Sequence, residues 1–461
     1  MALLVASSAF ANALDHLRTT DDIGLNKNPH LGQSRLLVIP SRVGRDLTPA
    51  ELQRLQAAYD PAGPAGSFRA YWRTTSVGRY DPVPTVVQPV IYRDRCPLPG
   101  KTMADCRFTL TDLGLITQGG LRVAFEDIIR RVRDEQGIDL TQFDVNGADA
   151  GVADGYFDGV ILDTDMYSGI AVPLAALVNN TVVIGAWPQP LDAGVDDAGT
   201  ADAGPTLRCG IVGLIPPDEH EYGHTLGFID LYNGPRVNDL MADVRATLGP
   251  FSRQQIGWGD VLHVDGGLEL DLKPVLEGGP VLRIGDGPKY LMLENRGGPK
   301  HATYEGAAPG IWVYSVDETK LPTAPLGFLD IVNQRLYYPN EAAPYLYVNV
   351  PLNCQLGSPT TPGTCALTTY DEARVLADSA GQEVGFTLRR SRTVDGGTIR
   401  IALRAGTELP PSFTPPVVPP PVIVPAVPMP WETVPSGCGC QSAGAGVGLV
   451  VLALLLRRRR G

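Results

Sequence analysis

Two histidines four residues apart, with a glutamate directly after the first, carry the clearest chemistry in this chain. His220-Glu221-Tyr222-Gly223-His224, followed by Gly227 and Asp230, spells HExxHxxGxxD. Residues four apart share a helix face, so His220 and His224 can aim both imidazoles at one metal ion. Glu221 then lies beside that ion as a base for water. Gly227 gives the backbone freedom to leave the helix sharply. The returning chain offers Asp230 as a third ligand, with a more distant carboxylate as the alternative. Three protein ligands leave one position open, which is the catalytic form of a zinc site and not the closed structural one. The rival reading is a helix with two surface histidines and a solvated glutamate. It is weakened by rarity, because the chain has only six histidines in 461 residues. The other four, His16, His30, His263 and His301, show no ligand spacing.

Asp239-Leu240-Met241 follows shortly afterwards. A soft methionine suits the apolar floor beneath a metal, the Met-turn of metzincin sites; the plain alternative is a core methionine. Tyr232 is a candidate to steady a tetrahedral intermediate, against simple packing at a helix end. These residues and their neighbours resemble the immune inhibitor A family of secreted metallopeptidases. The matching pieces are HEYGHTLGFIDLY (220–232), DLM (239–241), GPFSRQQIGWGDV (249–261), YLMLENR (290–296) and PGIWVYSVDE (309–318). Upstream, FRAYWRTTSVGRY (68–80) and FDVNGADAGVADGYFDGV (143–160) occur in the family's order, so the likeness covers about residues 34–320. It implies a zinc endopeptidase acting on proteins or peptides, with His220, His224 and Asp230 as ligands, Glu221 as general base and Met241 in the Met-turn. Two departures stand out: the strand at 36–39 begins where relatives carry a propeptide, and Ser315 stands where they often show histidine.

These residues need elements to hold them. Residues 35–40 read as a buried strand. Residues 48–59 read as a helix with Thr48 as N-cap and Pro49 in its first turn. Val123, Ile128, Ile129 and Val132 recur at helical spacing over 121–135. Residues 158–162 open a strand, and 174–184 form a further apolar segment. Residues 191–205, rich in Asp, Ala and Gly, read as a solvated loop. After 261 the pattern becomes short apolar runs between turns, at 268–272, 281–284, 290–294, 311–316, 345–350 and 398–403. The expected class is α+β: a zincin- or metzincin-like catalytic domain with a mixed sheet and a zinc helix over 34–261, then a β-rich, sandwich-like region over 262–405.

Asp144, Asn146, Asp149, Asp154 and Asp158 offer hard oxygen ligands of the kind calcium takes, making Ca2+ a second candidate cofactor beside Zn2+. The competing reading is a turn-rich loop whose aspartates bond local backbone. Seven cysteines include two close pairs, Cys96 with Cys106 and Cys354 with Cys365. Each pair can close a short disulfide loop in an oxidising compartment; free thiols are the alternative. Cys209 reads as a buried thiol.

A formal net charge of -12 argues against nucleic acid as a partner. Residues 1–13 are apolar and small, with Ala-rich cleavage-like ends, and read as a signal-peptide remnant. Residues 406–436 form a proline-rich linker. In 437–461, Cys438 and Cys440 precede an apolar run and an arginine cluster, an order that resembles the myxobacterial sorting tail MYXO-CTERM. That resemblance implies export machinery as a partner, processing near the cysteines, and display at the cell surface or release outside. A simple transmembrane tail anchor is the bland alternative. The other functional class is a non-catalytic surface adhesin that retains a peptidase fold.

Overall fold

The computed structural model describes residues 29–107, 120–147, 151–153, 155–166, 170–174, 176–178, 181–183, 208–213, 219–226, 228, 239–241, 246–304, 309–320, 347–349, 372–377, 383–393 and 397–412. The chain divides into two compact units, 1–413 and 414–461; everything below concerns the first. Residues 413–461, which hold the rest of the expected linker and the tail with Cys438 and Cys440, lie outside the described residues, as do the N-terminal residues 1–13, the loop at 191–205, Tyr232, Cys354 and Cys365. Among the described residues no helix is long and apolar enough to cross a membrane.

The fold is mixed α/β with several sheets. The chain opens with β1 (Gly32–Val43), α1 (Pro49–Ala58), α2 (Phe68–Thr75), β2 (Tyr80–Val86) and β3 (Val90–Tyr92). There follow α3 (Gly120–Gln136), β4 (Val160–Thr164), β5 (Ile170–Leu174), β6 (Ala176–Val178), β7 (Thr181–Val183), β8 (Arg208–Gly213) and α4 (Glu219–Thr225). The first sheet runs β2-β1-β4-β8-β5, with β3 also paired to β1. All its pairings are parallel except β5 on β8. β6 and β7 form a separate antiparallel pair. Parallel strands are buried on both faces and read as continuous apolar runs, as Leu36, Leu37, Val38 and Ile39 do at the centre of β1. β1 extends beyond the predicted run because it pairs with β2 over residues 32–38 and with β3 over 41–43; Arg42, near its end, pairs with the buried Asp163 of β4 at 3.1 Å.

α1 begins as its sequence dictates. Thr48 Oγ1 accepts from Glu51 N–H at 3.2 Å and Glu51 returns the bond to Thr48 N–H at 2.8 Å, a capping box with proline in the first turn. In α3, Ile128, Ile129 and Val132 are buried, but Val123 is exposed. Five residues separate Val123 from Ile128, which turns it to the far side of the helix. β4 starts two residues later than expected, because Asp158 is occupied with the loop before it.

The second half contains α5 (Pro250–Gln255), β9 (Val261–Val264), β10 (Leu268–Leu272), β11 (Val281–Ile284), β12 (Lys289–Arg296), α6 (Gly298–Tyr304) and β13 (Gly310–Asp317). It ends with β14 (Tyr347–Asn349), β15 (Glu372–Ala377), β16 (Glu383–Thr393) and β17 (Ile399–Ala405). A middle sheet, β14-β13-β12-β11-β9, faces an outer sheet, β10-β17-β16-β15. Aliphatic residues from both sheets, among them Leu291, Leu293, Ile311, Val313, Leu388, Ile401 and Leu403, fill the space between them. The other face of the middle sheet (Tyr290, Met292, Trp312, Tyr314 and Val316) joins a second core with β1, α1, α2 and α4. One hydrophobic core therefore runs across residue 261.

Candidate functional site

α4 carries the HExxH segment. Glu219 and Glu221 in its first turn suit the positive end of the helix dipole. The helix packs against β8 and β5 of the first sheet. Its C-terminus closes on Gly223, whose carbonyl accepts from Leu226 N–H at 3.0 Å and Phe228 N–H at 3.1 Å. Gly227, expected to release the backbone here, lies outside the described residues.

His220 and His224 stand one turn apart on α4. His220 is buried, and its Nδ1–H donates to Leu240 O at 3.0 Å. A carbonyl only accepts, so Nδ1 carries a proton; in the neutral ring this leaves the lone pair on Nε2, the tautomer a metal-ligating imidazole needs. Glu221 is half-buried. The side chain of His224 and the whole of Asp230 lie outside the described residues. Among the described residues no three His, Cys, Asp or Glu side chains gather as a metal-binding group.

Met241 is fully buried. A Cβ added at Gly223 would meet Met241 Sδ at 2.8 Å and Phe228 Cδ2 at 3.3 Å. The sulfur thus lies directly against the helix backbone beside the histidine face. Tyr222, two residues from His220, points the other way into aromatics, with ring centroids 5.0 Å from Phe68 and 5.4 Å from Trp72. Its hydroxyl bonds that of Tyr80. Burial raises the pKa of both phenols, so both stay neutral.

The segment that underlies the helix is held by groups the sequence reading did not single out. Asp239 Oδ1 accepts from Met241 N–H at 2.9 Å. Its Oδ2 accepts from Gly249 N–H at 2.8 Å and from Ser252 Oγ–H at 2.7 Å. Asp239 is fully buried, and burial raises its pKa against the pull of these donors. Residues 246–249 are pinned from several sides. Tyr71 Oη–H donates to Ala246 O at 3.0 Å, Leu240 N–H to Thr247 O at 3.1 Å, and Leu248 N–H to Thr75 Oγ1 at 3.3 Å.

Below them, Glu294 of β12 is buried with Arg253 and Arg296 as ion partners. It also accepts from Tyr314 Oη–H at 2.7 Å. Arg296 reaches back to Leu248 O at 3.3 Å. Burial pushes the Glu294 carboxyl up, but Arg296 and Arg253 outweigh it and hold it below the ordinary carboxylate value. Charged residues on an otherwise buried strand were the available signal: Glu294 and Arg296 share the face that carries Tyr290 and Met292.

In the Asp-rich stretch, described side-chain oxygens accept from backbone N–H groups. Asp158 accepts from Arg35 N–H at 2.7 Å, Asn146 N–H at 3.0 Å and Val145 N–H at 3.1 Å. Asn146 Oδ1 accepts from Gly151 N–H at 2.6 Å and Asp144 Oδ2 from Gly155 N–H at 2.8 Å. Burial pushes Asp158 up to about 7. Asp149 and Asp154 lie outside the described residues. Cys96 and Cys106 are joined by a disulfide with Cα atoms 5.5 Å apart.

No family model matches this chain, and no curated protein matches it at a significant level.

Proposed function

We propose that this protein is a zinc-dependent endopeptidase with a zincin-like catalytic unit, exported and displayed or released outside the cell. The observation that carries the reading is the surroundings of the HExxH helix: His220 has its Nδ1 proton committed to Leu240 O, and Met241 lies against Gly223. Both are what a metal-ligating helix over a Met-turn requires. The donor set of His220, His224 and Asp230 suits zinc, combining two imidazoles with one carboxylate.

A bound zinc ion supplies a Lewis acid that polarises the scissile carbonyl and brings the pKa of water toward neutrality. Glu221 takes the proton of the attacking water and passes it to the departing amine. His220, locked in one tautomer, keeps its ring orientation throughout. The mixed sheet lies beside the helix through β8 and β5. The disulfide between Cys96 and Cys106 favours an oxidising compartment over the cytosol, in keeping with the resemblance to a secreted family and to a sorting tail.

The test is Glu221→Gln in the purified chain. Chelator-sensitive cleavage of casein should fall by about 100-fold or more, while zinc content stays near one per chain. Undiminished cleavage by this variant would refute the base. A wild-type chain that binds zinc and cleaves nothing would instead mark the adhesin class.

A further inference from the structure

We propose that Asp239 is a positioning residue: its buried carboxylate folds residues 239–241 so that Leu240 O sets the tautomer of His220 and Met241 supports the helix at Gly223. The inference rests on the zinc reading of the HExxH helix and adds what holds that helix in register.

The argument starts from cost. An ionised carboxylate is expensive to bury unless its lone pairs are satisfied, and Asp239 is fully buried without an ion partner within bonding distance among the described residues. Its three contacts are all donors, two backbone N–H groups and the Ser252 hydroxyl. An amide of the same shape would turn an NH2 toward one or more of these donors, setting donor against donor. The position therefore calls for an acceptor at both oxygens.

What the carboxylate organises is equally specific. The bond to Met241 N–H bends the chain over Leu240, a side-chain-to-backbone turn of the kind aspartate favours. In the same turn, Leu240 N–H is tied to Thr247 O, and Leu240 O is thereby presented to His220. Met241 follows, with its sulfur on the helix backbone. The second oxygen fastens this turn to the start of α5 through Gly249 and Ser252. One side chain thus sets both the hydrogen-bond partner of a metal ligand and the apolar floor beside it. Groups that orient metal-binding histidines in this way govern metal affinity by about 10- to 100-fold.

The experiment uses the full chain with selectively 15N-labelled histidine. In zinc-free wild-type protein, His220 should show the Nδ1-protonated tautomer. Asp239→Asn should mix the tautomers and lose zinc to a competing chelator at about 10- to 100-fold lower chelator concentration. Ser252→Ala, which leaves the carboxylate and removes one donor, should move both readouts the same way by less, and Ser252→Thr should restore them. Should Asp239→Asn fail to fold, the Ser252 pair decides the matter. Folded variants with wild-type tautomer and zinc retention overturn the positioning role alone. Wild-type protein that holds no zinc overturns the peptidase reading, and the role with it.

Discussion

On β12 and β13, Leu291, Leu293, Ile311 and Val313 look toward the outer sheet, while Tyr290, Met292, Glu294, Arg296, Trp312 and Tyr314 look toward the helices. The two faces belong to the same strands and are equally dry. The outward face is aliphatic, and its neighbours ask only for volume. The inward face mixes aromatics with a buried ion cluster that reaches Leu248 through Arg296 and α5 through Arg253. An apolar layer of this kind tolerates repacking if its volume is kept. A polar network in low dielectric works only when each member finds its partner. The strands therefore divide their labour: one side supplies cohesion, the other specifies where the segment beneath the HExxH helix must lie.

Breaking each face in turn tests that division. Glu294→Ala strands two buried guanidinium groups and should cost about 3–5 kcal/mol in denaturant unfolding. The molecules that remain folded should also hold zinc less well. Leu293→Ala opens a cavity on the outward face at about 2–4 kcal/mol, and zinc retention in its folded fraction should match wild type. Equal zinc loss in both variants would erase the distinction. Tyr80→Phe removes the hydroxyl partner of Tyr222 within the aromatic cluster and should cost about 1 kcal/mol by thermal melting.

The smallest effect is a surface control. The Arg45 guanidinium, with help from Thr48, holds the Glu51 carboxyl down from its ordinary 4.5 to about 2. A depressed carboxylate adds stability above its unfolded pKa and loses it as pH falls through the folded one. Glu51→Gln should cost about 0.5–1 kcal/mol at neutral pH, and the gap to wild type should close as pH falls from 4.5 toward 2. A gap that persisted at the acid end would show that the bond does not depend on charge.

Much of this was legible in the chain itself, and the exceptions share a cause. Thr48, Pro49 and Glu51 announced α1 because capping is a local transaction among neighbours. β10 and β11 fell on the predicted ranges because their apolar runs end at turns. β15 and β16 were missed; β16 carries Arg389 and Arg390, which hide its alternation. Within the candidate site, His220, Glu221 and Met241 stood out by type and spacing. Asp239, Ser252 and Glu294 did not: Asp239 meets Gly249 and Ser252 across ten and thirteen residues of chain, and no local pattern records a contact between residues 253 and 294. The α+β expectation rested on the helical spacing over 121–135 and the short apolar runs after 261, and the observed mixed α/β fold with several sheets is consistent with it. That one core spans residue 261 depended on which face of β12 meets the helices, a tertiary fact.

Engineers commonly toughen a protein by trading a helical glycine for alanine, a change worth about 0.4–1 kcal/mol where the backbone permits it. Position 223 reverses the expectation. A methyl group there would meet the Met241 sulfur at 2.8 Å, so that side chain would have to shift to admit it. The same crowding means that an oxygen atom added to that sulfur would compete for room with the helix. Efforts to harden this molecule belong at its periphery, and the bare backbone at 223 should be left as it is.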